Sequence, residues 1–118
     1  MTARPRTGVI GAGGLGQHHI RILRDLQDES GDFAGFYESN PERAAKIAQE
    51  LGVRAHPSLD SLLDEVDAVT IVVPTPSHFE VAERVLSRGI HALIEKPIAA
   101  TLEEADTLLA LAAKRGAL

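Results

Sequence analysis

The chain has 118 residues, 44% hydrophobic and 25% charged, with a formal charge of −5 and no cysteine. That length suits one domain that buries about two-thirds of its unfolded surface, and the apolar content excludes disorder and low-complexity classes. The absence of cysteine excludes a disulfide framework, a thiolate metal site and a Cys nucleophile, and the acidic balance argues against nucleic acid or an anionic membrane as the main partner. No run approaches the roughly 18 apolar residues of a membrane span. The opening Met1-Thr2-Ala3-Arg4-Pro5-Arg6-Thr7 lacks the apolar run of a signal peptide, so a cytoplasmic domain is expected.

Strands alternate with helices along the chain. Thr7-Gly8-Val9-Ile10 reads as a short strand ending at a glycine cluster, after which Leu15, His19, Ile22 and Leu26 recur at helical spacing. Asp32 to Glu38 is an aromatic-rich second strand. Asn40-Pro41 then starts a helix with Ala44, Ile47, Ala48 and Leu51 on one face and Gly52 at its end. Val53-Arg54-Ala55-His56 is a weaker third strand, followed by a short helical piece around Leu59, Leu62 and Leu63. Asp67 to Val73 is almost continuously apolar and β-branched, as expected of a strand covered on both faces. Pro74-Thr75-Pro76-Ser77 breaks that run before a helix carrying Phe79, Ala82, Val85 and Leu86, with Ser77 as the candidate cap. Ile90 to Ile94 is a fifth strand, and Thr101 with Glu104 predicts a capping box for a last helix ending at Gly116. This pattern predicts a three-layer α/β/α fold, a doubly wound parallel sheet in the order 3-2-1-4-5. The apolar fifth strand would lie at the sheet edge, where it predicts self-association into a homo-oligomer or cover by another part of the chain.

Gly11-Ala12-Gly13-Gly14-Leu15-Gly16 satisfies G-x-G-x-x-G between a predicted strand and a predicted helix. Gly11 suits the tight turn, Gly13 the approach of backbone to a pyrophosphate, and Gly16 the close packing of helix on strand. The helix start aims free N–H groups and its positive dipole end at the same anion. Glu38, about 20 residues beyond, ends the second strand, where an acid accepts hydrogen bonds from the adenosine ribose. A carboxylate there repels a 2′-phosphate, and Ser39 follows it instead of an arginine, so NAD is favoured. Arg43, one turn on, keeps NADP as the alternative.

Ligands of open parallel sheets sit at the carboxyl ends of the strands. Pro74, Thr75, Pro76, Ser77 and His78 leave the fourth strand there, either as a stiff wall for a nicotinamide or as a plain strand-to-helix connection. Glu95-Lys96-Pro97 ends the fifth strand on the same rim. Lys96 is a candidate to polarise a substrate hydroxyl or stabilise an alkoxide, or else a surface lysine paired with Glu95. Pro97 suits a cis bond in a tight turn. The five histidines lack H-E-x-x-H spacing and predict no metal site, and no G-x-S-x-G elbow supports a serine nucleophile. His19 is expected to pack against the sheet and His78 to border the cofactor loop.

The glycine fingerprint with His19, Tyr37-Glu38, the stretch Pro74 to His78, and Glu95-Lys96-Pro97 together resemble the glucose–fructose oxidoreductase, inositol dehydrogenase and rhizopine catabolism (Gfo/Idh/MocA) family, over nearly the whole chain. The resemblance implies a Rossmann domain of an NAD(P)-dependent dehydrogenase that moves a hydride between a sugar, cyclitol or related polyol and the nicotinamide. Lys96 would be the catalytic residue of this domain, with Glu95 and the Pro74 loop lining the nicotinamide end and Pro97 following a cis bond. Two departures stand out. Val73 replaces the threonine that often precedes the first loop proline, and the family's second, substrate-binding domain is not among the 118 residues. The chain is therefore expected to hold the cofactor domain without its sixth strand. A dinucleotide-binding sensor without catalysis, or the first domain of another two-domain reductase, are the alternatives.

Overall fold

A computed structural model of the chain describes residues 4–27 and 31–118, so the first three residues of the N-terminal reading lie outside it. Four parallel strands, β1 (Arg6–Ile10), β2 (Asp32–Tyr37), β3 (Ala68–Ile71) and β4 (His91–Ile94), form one sheet in the order β2-β1-β3-β4. Among the described residues five helices cover it: α1 (Gly14–Asp25), α2 (Pro41–Leu51), α3 (Leu59–Leu63), α4 (His78–Ser87) and α5 (Leu102–Arg115).

The pleat of β1 divides the core. Val9 points to one face and joins Ile20 of α1, Ile47 of α2 and Phe36. Its neighbour Ile10 points to the other and joins Leu62, Ile71, Val85 and Leu108, so α3, α4 and α5 pack there. Each such buried side chain contributes about 1.5–3 kcal/mol relative to an exposed one. The expected doubly wound α/β/α architecture is present, with β1 and β3 at its centre.

Five strands were expected and four form among the described residues. The Val53 to His56 stretch contributes a single bridge, Phe36 with Ala55, through Phe36 N–H to the Arg54 carbonyl (3.0 Å) and His56 N–H to the Phe36 carbonyl (2.8 Å). It lies beside β2, the place the predicted order assigns to it. It grows no further because the left-handed Gly52 cap precedes it and Pro57, with no N–H to donate, follows.

The helix read from the spacing of Leu15, His19 and Ile22 forms as α1, but those residues are not its buried face. Leu15 and Ile22 are each 49% exposed, and the buried face is Gly16 and Ile20, with Leu23 packed against the same cluster. The contact of Gly16 with the turn below sets the rotation of the helix, and the apolar stripe does not.

The other caps follow local chemistry. Asn40 Oδ1 accepts from the N–H groups of Glu42 and Arg43, both at 3.1 Å, and Pro41 occupies the first turn of α2. At α5 the Thr101 hydroxyl oxygen accepts from Glu104 N–H (3.1 Å), while the Glu104 carboxylate reaches Ala100 N–H, one residue before the cap. Ser77 does not cap α4. It closes a 3₁₀ turn, Thr75–Ser77, and its helical backbone angles (φ −93°, ψ −7°) are not the extended ones a capping side chain needs.

β4 is the edge strand, and Leu93 on it is 66% exposed. Its outer side is partly paired, because Ala92 N–H donates to the Leu118 carbonyl and Leu118 N–H donates to His91 Nδ1, both at 3.0 Å. Among the described residues no helix is long and apolar enough to cross a membrane.

Candidate active site

The carboxyl ends of β1 and β3 diverge toward α1 and α4, and a cavity of about 670 Å³ opens between them. That size falls within the range of small-molecule and cofactor sites. Its floor is the glycine turn. Gly11 has φ +103°, and a Cβ there would stand 2.2 Å from the Val72 carbonyl oxygen. A Cβ on Gly16 would stand 2.2 Å from the Gly11 carbonyl oxygen, so only hydrogen lets α1 sit on the turn. At Gly13 and Gly14 a Cβ would meet nothing within 4 Å, which leaves their backbone open to the cavity. Gly13 is the N-cap of α1 and offers no side chain, so no cap satisfies the first-turn N–H groups facing this space. The arrangement fits a diphosphate: open backbone, uncapped donors and the positive end of a helix.

Glu38 follows β2, and its side chain is only 7% exposed. Oε1 accepts from Ala12 N–H at 2.8 Å and Oε2 from Asn40 N–H at 2.9 Å. The Ser39 hydroxyl lies 3.5 Å from Oε2, and Arg43 Nη1 lies 3.6 Å from Oε1. The carboxylate therefore ties the glycine turn to the start of α2 and is held in one orientation. Its two oxygens have about four lone-pair sites, so it retains acceptor capacity for further hydroxyls. The Arg43 cation lies against Glu38 itself.

On the opposite rim, Glu95 and Lys96 follow β4 and both line the cavity. The expected alternative of a Lys96–Glu95 pair does not form. Glu95 faces His19 Nε2 of α1 at 3.7 Å, and no described residue bonds to the Lys96 ammonium. His19 thus presents its Nε2 to Glu95. The Lys96–Pro97 bond is cis, as the sequence suggested.

The cavity brings together Gly11, Gly13, Gly14, Leu15, Gly16, Glu38, Ser39, Arg43, Pro74, Thr75, His78, Glu95 and Lys96 of the predicted set. Pro76 and Pro97 stand outside its lining, and both are exposed. His78 borders the cavity while only 2% exposed, its ring held by backbone carbonyls. Sequence reading missed Leu59, Val81 and Arg84, which wall the cavity beyond Glu38 and the Pro74 loop. Arg84 is anchored to Asp60 at 2.8 Å across two helices. No motif marks these residues, since only the packing of α3 against α4 brings them to the rim. Three carboxylates (Glu38, Glu80, Glu95) and three cations (Arg43, Arg84, Lys96) line the space, so position and not net charge decides what binds. No group of three or more metal-ligating side chains occurs among the described residues.

Known proteins share this fold. A UDP-N-acetylglucosamine 3-dehydrogenase from Acidithiobacillus ferrooxidans is 50% identical over 110 residues, which is 93% of this chain and 34% of that one. Its solved structure superposes on the whole chain with a TM-score of 0.90 and 47% identity, over 36% of its own length. A glucose-6-phosphate 3-dehydrogenase from Bacillus subtilis is 30% identical over 87% of this chain and 29% of its own. The structure of GenD2 from gentamicin A biosynthesis, in complex with NAD, gives a TM-score of 0.87 at 28% identity, over 100% of this chain and 34% of its own. The chain thus spans about a third of the length of these relatives. The model of the Gfo/Idh/MocA oxidoreductase family, described as an NAD-binding Rossmann fold, matches residues 5–118, and the chain belongs to that family.

Proposed function

We propose that residues 1–118 form the dinucleotide-binding part of an NAD-dependent dehydrogenase that oxidises a sugar hydroxyl, with substrate contacts and proton transfer completed by a second domain. One observation carries the reading. The uncapped start of α1, the nearly buried Glu38 carboxylate and the Lys96 ammonium, which has no bonded partner among the described residues, all line one cavity. A phosphate anchor, a ribose acceptor and a candidate catalytic cation therefore share one space.

The amides at Gly13 to Gly16 would hold the diphosphate, Glu38 the adenosine ribose, and the Pro74–Thr75 turn with Glu95 the nicotinamide end. The chemistry the bound dinucleotide supplies is acceptance of a hydride from the substrate carbon. Lys96 would orient the substrate hydroxyl and offset, as a preorganised charge, the negative charge that develops on its oxygen. The nearly buried carboxylate opposes a ribose 2′-phosphate and supports NAD over NADP. The half-identical UDP-N-acetylglucosamine 3-dehydrogenase supports a nucleotide-linked sugar as the first substrate to try. A cytoplasmic location fits the intracellular supply of such a cofactor.

Calorimetric titration of the chain with NAD and NADP tests the reading. Saturable NAD binding, with NADP weaker, is expected, and Lys96→Ala should leave NAD affinity within about twofold while abolishing turnover by the enzyme containing the second domain. No binding of either dinucleotide, or unchanged turnover with Lys96→Ala, contradicts it.

A further inference from the structure

With the diphosphate, the adenosine ribose and the nicotinamide seated, one part of the cavity wall has no occupant. It is the α3–α4 wall beyond Glu38, made by Leu59, Val81 and Arg84. Leu59 is nearly buried and Val81 half-buried, so this end offers carbon surface where the glycine turn offers N–H groups. A ribose with its hydroxyls on Glu38 and its 5′ carbon toward the diphosphate carries its base away from both, toward this wall.

Arg84 is held there from the outside. Its Nη2 donates to Asp60 Oδ1 at 2.8 Å, and Asp60 stands in the first turn of α3, whose start is fixed by Ser61 N–H donating to Ser58 Oγ at 3.0 Å. That bond uses one edge of the guanidinium and leaves its flat faces unspent. Arg88, one turn further along α4, is the contrast: it bonds Asp64, stands 3.8 Å from the same Asp60 oxygen, and does not line the cavity.

We infer that this wall is a base subsite that takes the purine by its face: the ring lies against Leu59 and Val81, and the guanidinium of Arg84, held by Asp60, stacks on it. This rests on reading the cavity as the dinucleotide site. A guanidinium over an aromatic face is attracted by the ring's electrons, and its own plane matches the base. The edge of the base is not read. Ser39, Arg43, Glu80 and Arg84, the polar side chains at this end, are all exposed, so any hydrogen bond from them to the base edge competes with water and selects weakly. Arg84 is therefore a determinant of cofactor affinity that tolerates a change of the exocyclic group on the purine.

The test is calorimetric titration of the chain with NAD and with nicotinamide hypoxanthine dinucleotide, beside thermal melts. The two dinucleotides are expected to bind within about threefold of each other, because stacking is tolerant of base identity. Arg84→Ala should weaken both about tenfold, and Arg84→Lys, which keeps the charge without the plane, should recover only part. Arg88→Ala gives up comparable ion pairs and should leave both affinities unchanged. Asp60→Ala should weaken NAD binding when Arg84 is present and add nothing in the Arg84→Ala background, a coupling that a general loss of stability does not produce. If Arg84→Ala does not fold, Arg84→Lys against Arg88→Ala carries the test. Wild-type NAD affinity in a folded Arg84→Ala chain, an equal loss with Arg88→Ala, or hypoxanthine dinucleotide bound more than about tenfold weaker than NAD overturns the subsite and leaves the dinucleotide reading standing. Absence of NAD binding by the wild-type chain removes both together.

Discussion

Glu38→Gln separates two roles that the structure superimposes on one side chain. The carboxylate is a strut, accepting from Ala12 N–H at 2.8 Å and Asn40 N–H at 2.9 Å, and it is the proposed ribose acceptor. Hydrogen bonds to a charged group contribute about 1.5–3 kcal/mol each. Glutamine keeps one acceptor oxygen and replaces the other with an NH₂ group that only donates. The oxygen will stay with Ala12, whose residue is fully buried, and Asn40 N–H, on an exposed residue, will turn to water. The strut therefore loses one bond at the low end of the range, about 1.5 kcal/mol, and Tm should fall by roughly 5–10 °C. In the ribose role the variant loses acceptor capacity and charge, so NAD affinity should fall about tenfold. NADP should bind as well as before or better, because the opposing charge is gone and Arg43, now 3.6 Å from Oε1, is released toward a 2′-phosphate. Titration of both dinucleotides beside a thermal melt reads both roles. A lower Tm with an unchanged NAD-to-NADP ratio would show that Glu38 is a strut only and refute the ribose assignment.

Three other changes probe the surrounding frame. Gly16→Ala places a methyl carbon 2.2 Å from the Gly11 carbonyl oxygen, so α1 must move off the turn. A loss of about 3 kcal/mol or more and of NAD binding is expected by melt and titration, and near-wild-type stability would mean the contact is not tight. The carboxyl of Asp67 is held below its ordinary value of 3.8, first by Arg6 N–H (2.8 Å) and then by the Arg6 side chain. A lowered folded value stabilises above the unfolded one and is lost as pH falls through it, so Asp67→Asn should cost under about 1 kcal/mol at neutral pH. The cost should vanish in melts at acid pH; a cost that persists there contradicts the assignment. Leu93, 66% exposed on the edge strand, should drive concentration-dependent association that Leu93→Lys abolishes in light scattering, whereas a wild-type chain monomeric at high concentration removes that reading.

What the sequence made legible is what local chemistry fixes. The turn at Gly11, the Asn40-Pro41 start of α2, and the Thr101–Glu104 cap each need only a few neighbouring residues, and all were read at their positions. What it hid depends on contacts far along the chain. Two helical stripes exist on α1, and the choice of Gly16-Ile20-Leu23 over Leu15-His19-Ile22 is made by the Gly11 carbonyl beneath. The third strand looked adequate by composition but stops at one bridge because Gly52 and Pro57 bracket it. Glu95 was set beside Lys96 by adjacency, yet alternation along the strand sends it to His19. Arg84 reaches the cavity rim only through the packing of α4 against α3. His78 looked like a loop residue, and its contact with the Pro97 carbonyl, 19 residues on, appears only in three dimensions.

A crystal structure of the chain grown with excess NAD tests the central claim most directly. The account predicts diphosphate oxygens on the amides of Gly13 to Gly16, ribose hydroxyls on the Glu38 carboxylate, and the nicotinamide beside Lys96. Dinucleotide bound elsewhere, or a glycine turn closed over by its own side chains in saturated crystals, would contradict it.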